Sequence, residues 1–507
     1  YLQDLPWAGG KKDKAPPRQL TKKISVWDLT FSPDGGRIAI SSTLQNRVDD
    51  FYMFRRINLL DVESGKLKQV SKNPGKLGPY SFSPDGKRLV YTAAAQLSDH
   101  AVTSAYVLDL ATGKAKDLTP PGLKGHVLWA GWRGAKEQLL HVHQGAESTF
   151  MEQSLEPQRR GTRLSSADSG EACAPAHQTV DGEVMALICS SASRPSVIKI
   201  WPVGGEPRDV TRLNSWITER QLGEQTVIHH RTRDGLSLNG ILVKPLGFKQ
   251  GKRYPLIVLV HGGPESNFTR GWTTHYSRPA QLWAARGYIT YMPNYRSSTG
   301  YGPELPRSTI GDAGGKEFDD IIDGIKHLVA TGLVDRQRVG LVGGSYGGFA
   351  AGLFGTRHTR WVRAVGMFVG VSDLISKRGV SDIPYEVLHV HHGKPLEQMW
   401  QTHLRQSPIY WAHQSKTAFL IYGGNKDTRV PPSQSVEMYM RLKMNKHPAA
   451  RLVQYPGEGH GNRKQPGRLD VILRVTRWMD WYVKDRNPLS GPMPDKDLSG
   501  AYGLDLK

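Results

Sequence analysis

Val339-Gly340-Leu341-Val342-Gly343-Gly344-Ser345-Tyr346-Gly347-Gly348 is the stretch that decides the fold. An apolar run ending in glycines reads as a buried strand, and a helix starts at Tyr346, so Ser345 stands on the turn between them. A serine on so tight a turn excludes bulk two residues to either side. Gly343 and Gly347 meet that need, and Gly348 lets the helix approach the strand closely. The turn lifts the Ser345 hydroxyl above the end of a sheet with a helix N-terminus beneath it. That is where an activated nucleophile belongs.

Working outward, strand-like runs alternate with amphipathic helices. Leu256–Val260, Tyr288–Met292, Val339–Val342, Ala364–Val369 and Ala418–Tyr422 are expected strands. Helices are expected near Ala280–Arg286, from Lys316 to Thr331 and from Leu469 to Val483. Such alternation predicts a mostly parallel sheet flanked by helices, the α/β-hydrolase fold once the G-x-S-x-G turn is included. In that topology an acid and then a histidine follow the serine, each in a loop after a strand. The loop after Ala418–Tyr422 offers Asp427, and the loop after Leu452–Tyr455 offers His460. Glu458 is a rival acid, but two residues from His460 it is poorly placed to reach the far ring nitrogen. The glycine-rich loop His261-Gly262-Gly263-Pro264 follows the Leu256–Val260 strand. It predicts an oxyanion hole made by the Gly263 and Tyr346 N–H groups, with His261 orienting the loop.

The first 215 residues repeat. Phe31-Ser32-Pro33-Asp34-Gly35 returns as Phe82-Ser83-Pro84-Asp85-Gly86, and weaker copies stand at Gly131–Gly134 and Val180-Asp181-Gly182. Asp-Gly turns between alternating strands, at a spacing near 50 residues, match the four-stranded blade of a β-propeller. Tyr1–Thr21 reads as the closing half of a blade followed by about four further units. The expectation is therefore a partial propeller over 1–219, N-terminally incomplete, a catalytic domain over 220–490 and a tail over 491–507.

The net charge of +21 could suggest nucleic acid. Yet 28 Lys and Arg face 23 acids over residues 1–219, and 39 face 23 afterwards, so the excess falls on helices of the second half. No nucleic-acid signature accompanies it, and no nucleic-acid partner is expected. No apolar run is long enough for a membrane span. The clusters His389/His391/His392, His141/His143 and His229/His230 lack metal-ligand spacing and read as surface or loop residues; neither a metal nor a cofactor is expected. Cys173 and Cys189 flank the Asp181-Gly182 turn. A simple two-residue turn sets Cys173 opposite Ser190, so the cysteines are expected to stay unpaired unless a bulge intervenes.

Several motifs together resemble the prolyl oligopeptidase family of serine peptidases, in particular its acylaminoacyl-peptidase and dipeptidyl-peptidase-like branch. They are HGGP (His261–Pro264), NYRSSTGYG (Asn294–Gly302), GGKEFDD (Gly314–Asp320), GGSYGG (Gly343–Gly348), DTRVPPSQS (Asp427–Ser435) and GEGHG (Gly457–Gly461). Ser297 departs from the family's usual glycine. The resemblance implies a propeller capping the active site and restricting substrates to short peptides. It also implies that Arg429 holds a substrate carbonyl and that Val430 lines the pocket for the residue before the cut.

The expected activity is thus hydrolysis of short peptides by Ser345, Asp427 and His460 through an acyl-enzyme, releasing N-terminal acyl-amino acids or dipeptides. An esterase with the same triad and a binding propeller with an inactive hydrolase domain are the alternatives, and homo-oligomerisation stays open. Asp49-Asp50, the adjacent acidic pair of the repeat region, reads as ordinary loop charge rather than a trap for a free N-terminus.

Overall fold

The computed structural model describes residues 18–134, 137–154, 162–163 and 170–494. Most of the half-blade expected at Tyr1–Thr21 lies outside the described residues, as does the tail from 495. Four antiparallel four-stranded sheets follow one another over Ser25–Gln69, Leu77–Asp117, His126–Arg163 and Glu171–Asp209. These are propeller blades. Their repeated turns share one device. Ser32 Oγ donates to Asp34, accepts the Arg37 N–H at 2.9 Å and closes a turn in which Gly35 takes φ +72°. Ser83 with Asp85 does the same, and Thr179 with Asp181 repeats it in the fourth blade.

The fourth blade overturns the expectation for the cysteines. A bulge between Pro175 and His177 shifts the register by one, so Cys173 lies opposite Cys189 and the two form a disulfide. An inserted residue moves every later side chain to the other face. Glu171, Cys173 and Cys189 are the cluster of potential metal ligands among the described residues, and both sulfurs are taken by that bond.

From Gln225 a single eight-stranded sheet takes over. The hairpin Gln225–Arg231 and Ser237–Val243 is antiparallel and joins Ile289–Pro293. Tyr254–Val260, Val334–Gly344, Ala364–Phe368, Ala418–Gly424 and Ala450–Tyr455 then run parallel. Buried apolar clusters cover both faces. One packs Phe318, Ile321, Ile325 and Phe349 against the sheet, the other Trp283, Val475, Trp478 and Met479. This is the α/β-hydrolase fold, with the loops that hold Ser345, Asp427 and His460 at the carboxyl ends of its strands. Among the described residues no helix is long and apolar enough to cross a membrane.

Between Ala364–Phe368 and Ala418–Gly424 the chain adds helices Leu374–Val380, Pro384–Glu386 and Leu396–Gln406, with a π-helical turn at Val387–His392. This insertion meets the blades. Asp49, on the short helix Val48–Met53 of the first blade, accepts the N–H groups of Tyr385 and Glu386. Arg307 pairs with Asp99 of the second blade, and Gly300 donates to His126 of the third at 2.9 Å. The reading of Asp49-Asp50 as loop charge is therefore corrected. Asp49 is a buried tie between blade and hydrolase, and Asp50 is paired with Arg47.

Candidate active site

Ser345 has φ +59° and ψ −119°, a conformation L residues rarely adopt and one that the strand-to-helix turn imposes. The flanking glycines have no alternative. A Cβ on Gly343 would lie 2.2 Å from the Gly347 carbonyl oxygen, and one on Gly347 would lie 2.1 Å from that of Val260. Both clashes are with backbone.

The three residues expected to work together are together. His460 Nε2 lies 2.9 Å from Ser345 Oγ, and His460 Nδ1 lies 2.7 Å from Asp427 Oδ2. A carboxylate only accepts, so it fixes the proton on Nδ1 and leaves Nε2 to take the serine proton. The Asp427 side chain is 1 % exposed, and its other oxygen accepts the Arg429 and Val430 N–H groups at 2.9 and 3.0 Å. Glu458 is occupied elsewhere: it receives the Arg463 and Lys464 N–H groups and clamps its own loop.

Tyr346 is the first residue of helix Tyr346–Gly355, so its N–H is among the donors a helix leaves open at its N-terminus. Gly262 packs against Ser345, since a Cβ there would meet the Ser345 Cβ at 3.0 Å, and Gly263 follows it at the cavity wall. His261 orients this loop. It bonds Ser298 at 2.8 Å, stacks on Tyr295 at 4.4 Å, and burial lowers its pKa to about 4. The Tyr346 ring is held from below by Glu317, which accepts from Tyr346 Oη, Ser297 Oγ and Gly314 N–H. Ser297 is thus used, its hydroxyl replacing the hydrogen a glycine would present.

A cavity of about 630 Å³ opens over Ser345. Its apolar wall comprises Tyr346, Phe349, Val371, Leu374 and Val430, and its roof includes Phe51, Tyr52 and Ala101 from the blades. Arg429 points into it, bonded to Asp382 at 2.6 Å and Tyr52 Oη at 3.2 Å. Sequence reasoning missed the charges that line it. Lys76 of the second blade bridges Glu265, at 3.4 Å, and Glu386, and His391 Nε2 lies 3.0 Å from Glu265. Glu265 sits one residue beyond the HGGP loop and was within reach of that motif. Lys76 and Glu386 carry no local signal. The surface reading of the histidine clusters is also corrected: in the π-helical turn His392 is buried and His391 half-buried, and His141 is buried in the third blade.

A strained serine, a histidine and a buried aspartate stand at the strand ends of an α/β sheet, roofed by propeller blades, an arrangement that suits the chemistry of a serine hydrolase with a covered site. Residues 274–486 match the prolyl oligopeptidase family. The chain is similar to an uncharacterized peptidase, YuxL, of Bacillus subtilis (strain 168), at 32 % identity over 57 % of this chain and 44 % of the relative. It is also similar to the acylamino-acid-releasing enzyme of Rattus norvegicus, at 26 % over 84 % of this chain and 61 % of that enzyme. The chain thus spans between 44 % and 61 % of the length of these relatives. Among solved structures, an acylaminoacyl peptidase of Pyrococcus horikoshii superposes with a TM-score of 0.75 at 21 % identity, covering 96 % of this chain and 73 % of that one.

Proposed function

We propose that the protein is a serine peptidase that cleaves short peptides near a blocked N-terminus and releases acyl-amino acids. Ser345 Oγ attacks the peptide carbonyl carbon while His460 Nε2 takes its proton. The Gly263 and Tyr346 N–H groups hold the tetrahedral oxyanion. The C–N bond then breaks as His460 returns the proton to the leaving amine, and an acyl-enzyme remains. Water, deprotonated by the same histidine, attacks the ester, and Ser345 recovers its proton. Arg429 would hold the carbonyl of the acyl group, and Val430 the side chain before the cut.

The observation that carries the blocked-N-terminus reading is Lys76. A free N-terminus needs an unneutralised acid, yet the two cavity carboxylates already share an ammonium. Neither Asp49 nor Asp50 lines the cavity. The roof of blade residues favours short peptides over folded chains. The test compares N-acetylated and free forms of one tripeptide. The acetylated form should be cleaved faster, and Ser345→Ala should abolish turnover. Full activity in Ser345→Ala would sink the mechanism, and preference for the free form would sink the specificity.

A further inference from the structure

Leu374 and Lys377 lie one turn apart on helix Leu374–Val380, about 5 Å from each other along one face, and both line the cavity over Ser345. Val371, Val430, Phe349 and Leu374 suit an apolar side chain, but Lys377 ends that surface with an ammonium. Its residue is 7 % exposed. The other cavity cations are bonded or stacked: Arg55 donates to the Phe51 and Leu77 carbonyls, and Arg278 lies over the Phe268 ring. Lys76 holds two carboxylates, and Arg429 holds Asp382 and Tyr52. Among the described residues, Lys377 Nζ has no hydrogen-bond or ion-pair partner, and only through-space charges act on it.

We infer that Lys377 makes this cavity select an acidic side chain, glutamate or aspartate, on the residue preceding the scissile bond. The inference rests on the peptidase reading and names its substrate class. A buried ammonium without a partner forgoes its strongest interactions, and an entering carboxylate supplies them as charge-assisted bonds. The carboxylates already near Lys377 do not: Glu386 is held by Lys76, Glu265 by Lys76 and His391, and Asp382 by Arg429 and the Thr428 hydroxyl. Arg429, His392 and, on its own helix, Arg378 complete the charged or titratable groups around it, with Asp373 capping that helix. Burial lowers the Lys377 pKa to about 8, and Glu386 partly offsets it, so the ammonium persists at neutral pH.

The experiment measures kcat/KM for two N-acetylated peptides that differ only in glutamate or glutamine before the cut. Taking the ratio cancels any pH effect common to both peptides. Glutamate should be favoured about ten- to a hundredfold at neutral pH, with the ratio shrinking as pH rises past about 8 and Lys377 loses its proton. Lys377→Met should bring the ratio to one or below, and Lys377→Arg should keep glutamate preferred. A wild-type ratio of one or less, or a preference that survives Lys377→Met, overturns the inference. Calorimetric binding of both peptides to Ser345→Ala separates the two claims. Glutamate-selective binding with no wild-type turnover removes the peptidase reading and keeps the role of Lys377. Turnover without selectivity does the reverse.

Discussion

Lys76→Met tests whether the blades set substrate choice. Lys76 and its partners Glu265 and Glu386 have side chains 12 %, 12 % and 6 % exposed, so their charges meet with little water between them. Pairing raises the Lys76 pKa, and Lys76 with His391 holds Glu265 well below the usual carboxylate range. Methionine keeps the stem and removes the charge, leaving two buried carboxylates with His391 as the remaining partner of Glu265. Removing one member of such a pair costs about 3–5 kcal/mol. The cost should shrink at acid pH, where the stranded carboxyls take up protons, and be fully present near neutrality. The same vacancy fits a substrate ammonium. The ratio of kcat/KM for a free against an acetylated tripeptide should therefore rise about ten- to a hundredfold in Lys76→Met. Thermal unfolding across pH and paired peptide assays read both effects. A folded variant whose ratio stays within about twofold of the parent's would refute the assignment of Lys76 as a built-in substitute for the N-terminus.

Burial raises the Glu317 pKa to about 6, against an ordinary 4.5, despite its three donors. The folded state then binds more protons than the unfolded one between those values, so stability falls as pH rises through that window, by about 2 kcal/mol. Glu317→Gln should flatten this slope in unfolding curves measured from pH 4 to 7, and an unchanged slope would contradict the assignment. Cys173→Ser opens a cross-link between residues 16 apart, and the loss from a loop of this size is about 3 kcal/mol. Limited proteolysis should then cut first within Glu171–Asp209; equal resistance in variant and parent would show that the disulfide adds little there.

What could be read from the chain was local. Ser345, its glycines and the loops holding Asp427 and His460 are each defined within ten residues, and the order of strands carries them to one sheet edge. The S-P-D-G turns are equally local, because Ser32 and Asp34 close the hairpin by themselves. The cysteines failed for want of one residue, since nothing near Pro175 announces the bulge that brings Cys173 opposite Cys189. The cavity's charges failed for a different reason. Lys76 meets Glu265 and Glu386 across 189 and 310 residues of sequence, and no periodicity records a contact between a blade and an insertion helix. The triad belongs to the hydrolase part alone, whereas Lys76, Tyr52 and Asp49 reach it from the blades. If this division is functional, exchanging blade residues should change which peptides are cleaved while the chemistry at Ser345 continues. Exchanges at the strand ends should do the opposite.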